Sequence, residues 1–272
     1  MNGRELVEAM HGGSRVYGTC ITAPSPRWPG VAKGLGLDFV FIDTEHVAQD
    51  RERVAWMCGA YRSLGIAPVV RIPEPDPYQA CMVFDAGAEG VIAPYVETAA
   101  QVRALAGAAK LRPLKGKRLD GRLDGTAALE PELERYLAER NTASALIVNI
   151  ESTPAIAALD EILAVPGLDA VLIGPHDLTC SLGIPEQYRH PRFDEAVRTI
   201  VRKARAAGVG AGIHYWLGTE QEISWARDGL NLIIHSTDSV LFSNALRADL
   251  ATLRSALGDA SAPKREHTPS SP

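Results

Sequence analysis

Short apolar runs alternate with helical stretches along most of the chain. The segments D-F-V-F-I-D (38–43), A-L-I-V-N-I-E (145–151) and A-V-L-I-G (170–174) are near-continuously apolar, as strands buried on both faces of a parallel sheet are. Further strands are expected at residues 16–22, 67–72, 90–96, 209–214 and 231–235. Between them, Asp50 caps a helix that runs to Gly65 with Val54, Met57, Cys58 and Tyr61 as its apolar stripe. Helices are also expected at 29–36, 78–86, 98–110, 130–140, 191–207, 219–228 and 239–257. Thr153-Pro154 opens another, which Pro166-Gly167 closes.

Roughly eight strands, each followed by a helix, point to a (β/α)8 TIM barrel rather than a doubly wound sheet. The barrel is expected to occupy residues 1–257 as one domain, with residues 258–272 as a disordered tail. Residues 112–128, rich in glycine and charge, have no apolar period and are expected to form a lid or interface loop. No glycine-rich nucleotide-binding fingerprint follows the first strand.

In a barrel, the polar residues that end the strands share one face, and there the chemistry is expected. They are Asp43, Glu45, His46, Arg71, Glu151, Asp177, His214 and His235. Glu151 and Asp177 would be neighbours whose repulsion a cation relieves, giving an oxygen-ligand metal site suited to Mg2+ or Mn2+, with Co2+ or Zn2+ as further candidates. The plainer alternative is a pair of helix caps or barrel-mouth charges. Arg71 needs a partner at the end of a buried strand: either a carboxylate ligand or a salt bridge to Asp43 or Glu45. His46, beside acidic residues, fits a general base.

Composition narrows the rest. A net charge of −5 with scattered Lys and Arg gives no reason to expect nucleic acid, and no apolar run is long enough for a membrane span. The start lacks a signal peptide's apolar region, and Cys20, Cys58, Cys81 and Cys180 form no C-x-x-C pair. These features imply a cytoplasmic protein with reduced core thiols.

The motifs F-I-D-T-E-H, V-V-R, F-D-A-G, V-N-I-E and I-G-P-H-D-L occur in this order. Together they resemble the metal-dependent class II pyruvate aldolases of the HpcH/HpaI type, over about residues 4–256. That group includes 4-hydroxy-2-oxoheptanedioate aldolase and 2-keto-3-deoxy sugar-acid aldolases. The resemblance implies a phosphoenolpyruvate/pyruvate-like barrel whose last helix is exchanged between subunits, commonly in a hexamer built as a trimer of dimers. It implies Glu151 and Asp177 as metal ligands, Arg71 at the pyruvate carboxylate and enolate, and His46 as acid/base with Asp85 as its partner and Asp43 close by. Gly174, Pro175 and His176 fall in the segment implied to hold the pyruvate carboxylate.

Three departures bear on substrate binding. Asn149 stands where many relatives have glutamine, residues 115–125 lack the usual R-G pair, and His214-Tyr215-Trp216 replaces aliphatic residues. His214 is therefore either acceptor-pocket lining or a second acid/base group. The implied reaction is reversible cleavage of a 4-hydroxy-2-oxo acid to pyruvate and an aldehyde. Its alternatives are a citrate-synthase-like or other biosynthetic use of the enolate, and a silent barrel used for binding or assembly. No strand end carries a Schiff-base lysine.

Overall fold

A computed structural model describes residues 1–259. The tail expected from residue 258 onward lies almost wholly outside them. In chain order the elements are α1 (Gly3–Gly12), β1 (Val16–Ile21), α2 (Trp28–Gly34), β2 (Phe39–Asp43), α3 (Arg51–Ser63), β3 (Ala67–Arg71) and α4 (Pro77–Asp85). Then come β4 (Gly90–Ala93), α5 (Ala99–Lys110), α6 (Gly116–Leu123), α7 (Pro131–Asn141), β5 (Ala145–Ile150), α8 (Thr153–Ala157) and α9 (Leu159–Leu163). The chain closes with β6 (Ala170–Ile173), α10 (Pro175–Ser181), α11 (Pro191–Ala206), β7 (Gly210–Tyr215), α12 (Thr219–Arg227), β8 (Leu232–Thr237) and α13 (Asp238–Leu257). The strands are all parallel and join in sequence order, with β8 returning to β1, so the expected (β/α)8 barrel is present.

Side chains alternate across each strand and split the apolar core into two layers. Phe39 and Phe41, Ala67 and Val69, Ile147, Leu172 and Ile234 fill the barrel, which Leu6 and Met10 of α1 close from below. Val40, Ile42, Val70, Val148, Val171 and Ile213 face outward against the helices. The same alternation decides which strand-end residues enter the mouth. Asp43 continues the inward row of Phe39 and Phe41, Arg71 that of Val69, Glu151 that of Ile147 and Asn149, and His214 that of Gly210 and Gly212.

Local signals account for most helix starts. Asn2 and Thr98 form capping boxes, Asp50, Asp76 and Ser152 accept from first-turn N–H groups, and prolines open α4, α7, α10 and α11. Two short helices were not expected. Within residues 112–128, α6 lays Leu119 and Leu123 against Gly107 of α5, where a larger residue would crowd both leucines. Arg118–Glu130 and Arg122–Glu134 ion pairs bind α6 to α7. The other is α10, directly after β6. The helix after β5 is also broken at Ala158 into α8 and α9.

Candidate active site

Arg71 ends β3 at the barrel mouth, level with Asp43 at the end of β2. Its Nε and Nη2 donate to Asp43 Oδ1 and Oδ2 at 2.8 and 2.7 Å, a bidentate pair on a carboxylate that is 0% exposed. Burial alone would raise the Asp43 pKa, but the hydrogen bonds from Arg71 outweigh it and hold the carboxyl below its ordinary value. Arg71 Nε also lies 3.1 Å from Glu45 Oε2, and its guanidinium carbon stands 5.2 Å from the Phe41 ring centre. The salt bridge foreseen as the plainer role of Arg71 is thus formed, with both candidate partners. Two of its nitrogens are engaged, and Nη1 makes no hydrogen bond among the described residues.

Glu151 ends β5 with its carboxylate buried. Oε1 accepts from the Tyr95 N–H at 2.7 Å, and Oε2 accepts from Asn149 Nδ2 at 2.9 Å. Burial, reinforced by the charges of Asp177 and Glu45, pushes its pKa up to about 7 despite these bonds. Gly174, beyond β6, is where the fold demands glycine: a Cβ there would overlap Glu151 Oε2. Asp177 is exposed in the first turn of α10 and shares with Glu151 a cleft of about 370 Å³ also lined by Tyr95, Val96, Glu97, Ser152 and Ser181.

Asp43 and Glu45 thus pair with Arg71, while Glu151 and Asp177 share a cleft at the same barrel mouth. The latter two, beside a buried Asn149 Oδ1 with no hydrogen-bond partner, are an all-oxygen donor set that fits a hard divalent cation. Among the described residues no three His, Cys, Asp or Glu side chains gather into a complete cage, so such a site takes its remaining ligands from water or substrate.

The histidines separate. His46 is exposed at the mouth, with Nε2 3.7 Å from Glu45 Oε1. His214 points into the barrel, edge-on to Phe41, with its Nε2 donating to the Ser236 carbonyl at 3.1 Å. Burial and the nearby Arg71 charge lower its pKa to about 4, which favours the neutral imidazole at pH 7. His176 lies in α10, 3.4 Å from the Tyr188 hydroxyl. His235 does not belong to the mouth. One residue out of step with Ile234, it faces the helix layer and pairs with Glu222 at 2.7 Å.

Asp85 is placed differently from its expected role. It ends α4 with its side chain 78% exposed and 3.5 Å from Arg112, so within one chain Glu45 is the carboxylate beside His46. The thiols also differ: all four are free, but Cys81 is half-buried and Cys180 exposed. Tyr95 escaped the sequence reading. Among the described residues it is one of three non-glycine positions with positive φ (55°), a strained conformation whose cost is of order 1 kcal/mol and which aims its N–H at Glu151. A-P-Y-V after β4 carries no pattern that announces such a turn.

Comparison with known proteins gives this site its class. Residues 21–245 match the model of the HpcH/HpaI aldolase/citrate lyase family. The chain belongs to that family of carbon–carbon lyases. It is 33% identical over 250 residues to 2-keto-3-deoxy-L-rhamnonate aldolase of Shigella sonnei (strain Ss046), covering 91% of this chain and 92% of that one. Among solved structures it resembles an HpcH/HpaI aldolase from Desulfitobacterium hafniense DCB-2, with 27% identity, a TM-score of 0.79 and coverage of 92% and 96%. It resembles the citrate synthase SbnG equally in fold, with 30% identity, a TM-score of 0.79 and coverage of 93% and 99%. No described helix is long and apolar enough to cross a membrane.

Proposed function

We propose that the chain is a metal-dependent aldolase that reversibly cleaves a 4-hydroxy-2-oxo acid to pyruvate and an aldehyde through the pyruvate enolate. The observation that carries this reading is the pair Glu151 and Asp177 on one cleft at the same barrel mouth as Arg71. The likeness to an aldolase acting on a 2-keto-3-deoxy sugar acid favours a 2-keto-3-deoxy acid as substrate.

Glu151 and Asp177 would hold a divalent cation, which when bound would supply Lewis-acid stabilisation of the enolate charge. Arg71, fixed by Asp43, offers its remaining N–H groups to the carboxylate and to the charge that develops on the enolate. His46 accepts the C4 hydroxyl proton. The electrons of that O–H bond form the aldehyde carbonyl, while the C3–C4 pair becomes the C2–C3 double bond of the enolate. A proton returned to C3 gives pyruvate. Gly174, Pro175 and His176 border the carboxylate, Asn149 holds Glu151, and neutral His214 shapes the acceptor side.

A second reading keeps the enolate and changes the electrophile, as the likeness to a citrate synthase would have it. Incubation with a 2-keto-3-deoxy acid and Mg2+ tests the first. Pyruvate should appear, and chelation of the metal or Glu151→Ala should stop it. If no pyruvate forms from any 4-hydroxy-2-oxo acid while pyruvate and a 2-oxo acid condense, the second reading replaces the first.

A further inference from the structure

A row of rings crosses the mouth and ends at Arg71. Tyr188, between α10 and α11, stands edge-on to Trp216 with ring centres 5.5 Å apart. Trp216 follows to His214 at 5.9 Å, and His214 to Phe41 at 5.4 Å. Phe41 in turn lies 5.2 Å from the Arg71 guanidinium carbon, so one ring separates His214 from the group that would hold the pyruvate carboxylate. The His214 imidazole has a defined tautomer. Its Nε2 meets the Ser236 carbonyl at 3.1 Å, and a carbonyl only accepts, so Nε2 carries the proton. Burial beside Arg71 disfavours a second proton, and Nδ1 keeps a lone pair that meets no donor among the described residues. The carbonyl is itself fixed: Ser236 takes a positive φ of 58°, a conformation that persists where surrounding contacts impose it, and also accepts from the Thr19 hydroxyl at 3.2 Å.

We propose that His214 is a specificity-determining residue whose Nδ1 accepts a hydrogen bond from a hydroxyl on the aldehyde half of the substrate, so that the enzyme takes a 2-hydroxyaldehyde in preference to its deoxy counterpart. The inference rests on the aldolase reading, in which Arg71 fixes the keto-acid end and the aldehyde half extends from it along the rings. A buried lone pair is satisfied by a hydroxyl and stranded by a methyl group, and a site built to hydrogen-bond a hydroxyl rejects the analogue that lacks it. An aliphatic side chain at this position makes no such selection.

Glycolaldehyde and acetaldehyde differ by one hydroxyl. Each is combined with pyruvate and Mg2+, and kcat/KM for the aldehyde is measured. Wild type should favour glycolaldehyde. His214→Leu, the aliphatic kind of residue that His214 replaces, should shrink the glycolaldehyde-to-acetaldehyde ratio about tenfold, and comparison of the two ratios cancels the aldehydes' own reactivity. His214→Phe, which keeps a ring in the row and loses Nδ1, should do the same, and melting temperatures show which variant is folded. A wild type with no preference for glycolaldehyde, or a folded variant that keeps the wild-type ratio, overturns the inference alone. A wild type that adds pyruvate to no aldehyde overturns the aldolase reading and this inference with it.

Discussion

Glu151 and Gly174 stand at adjacent strand ends, β5 and β6, with no room between them for a methyl group. The metal-ligand assignment depends on that gap. Gly174→Ala should force the carboxylate off its Tyr95 and Asn149 donors, and a shift of about 1 Å in a site of this kind costs on the order of 10²-fold in rate. Mn2+ affinity and kcat/KM should fall together. Loss of neither would remove Glu151 from the site.

Arg71 has a structural duty as well as the proposed catalytic one, because Asp43 is fully buried. Arg71→Ala strands that charge, a loss of about 3–5 kcal/mol for a broken buried pair. Denaturant midpoints should report it. The rate should drop by about 10²–10³, as for a lost oxyanion donor. Arg71→Lys keeps the charge but not the fork, and should recover more stability than activity.

The strand-and-helix rhythm was legible because barrel strands are buried on both faces and read as apolar runs, and the strand-end polar residues followed from the fold. Face was harder to read than position. Asp43, Arg71, Glu151 and His214 share the inward parity of their strands, but His235 is one residue out of step and pairs with Glu222 behind the sheet. Asp177 was legible as a partner for Glu151, although its helix, at seven residues, is too short for a periodic signal. The Tyr95 contact depends on a positive φ and on tertiary approach to Glu151, neither of which leaves a mark in a linear pattern.

At the other end of the barrel, His11 fastens α1 to the β6 edge. Its Nδ1 meets the Gly208 carbonyl at 2.8 Å and its Nε2 meets Asp169 at 3.0 Å, bonds that both ring nitrogens donate only in the imidazolium form. The Asp169 hydrogen bond raises the His11 pKa, against burial and the nearby Lys110 charge. A raised folded pKa stabilises fully below the unfolded value of about 6.5 and is lost as pH rises through the folded one. Wild-type stability relative to His11→Ala should therefore be greatest below pH 6 and shrink toward pH 8 in thermal melts. A constant difference across that range would contradict the charged pairing.

Along α13, Leu241, Phe242, Leu246, Leu250, Leu253 and Leu257 are exposed, Phe242 by 63%. A groove of about 420 Å³ on the barrel wall, lined by Tyr17, Ile223, Ile233 and His235 among others, is open as well. We infer that the helix lies on the wall of a second copy, the exchange implied by the family resemblance. Light scattering should give an oligomer for wild type and smaller species for Phe242→Asp with Leu246→Asp. A wild-type monomer would overturn it.

The enolate is the centre of the account, and proton exchange reads it without any knowledge of the aldehyde. Protein, pyruvate and Mg2+ or Mn2+ are combined in D2O, and the methyl signal is followed by NMR. Metal-dependent loss of that signal, abolished by Asp177→Ala, is the predicted result. A methyl signal that persists with every metal, or decays equally with Asp177→Ala, would contradict it.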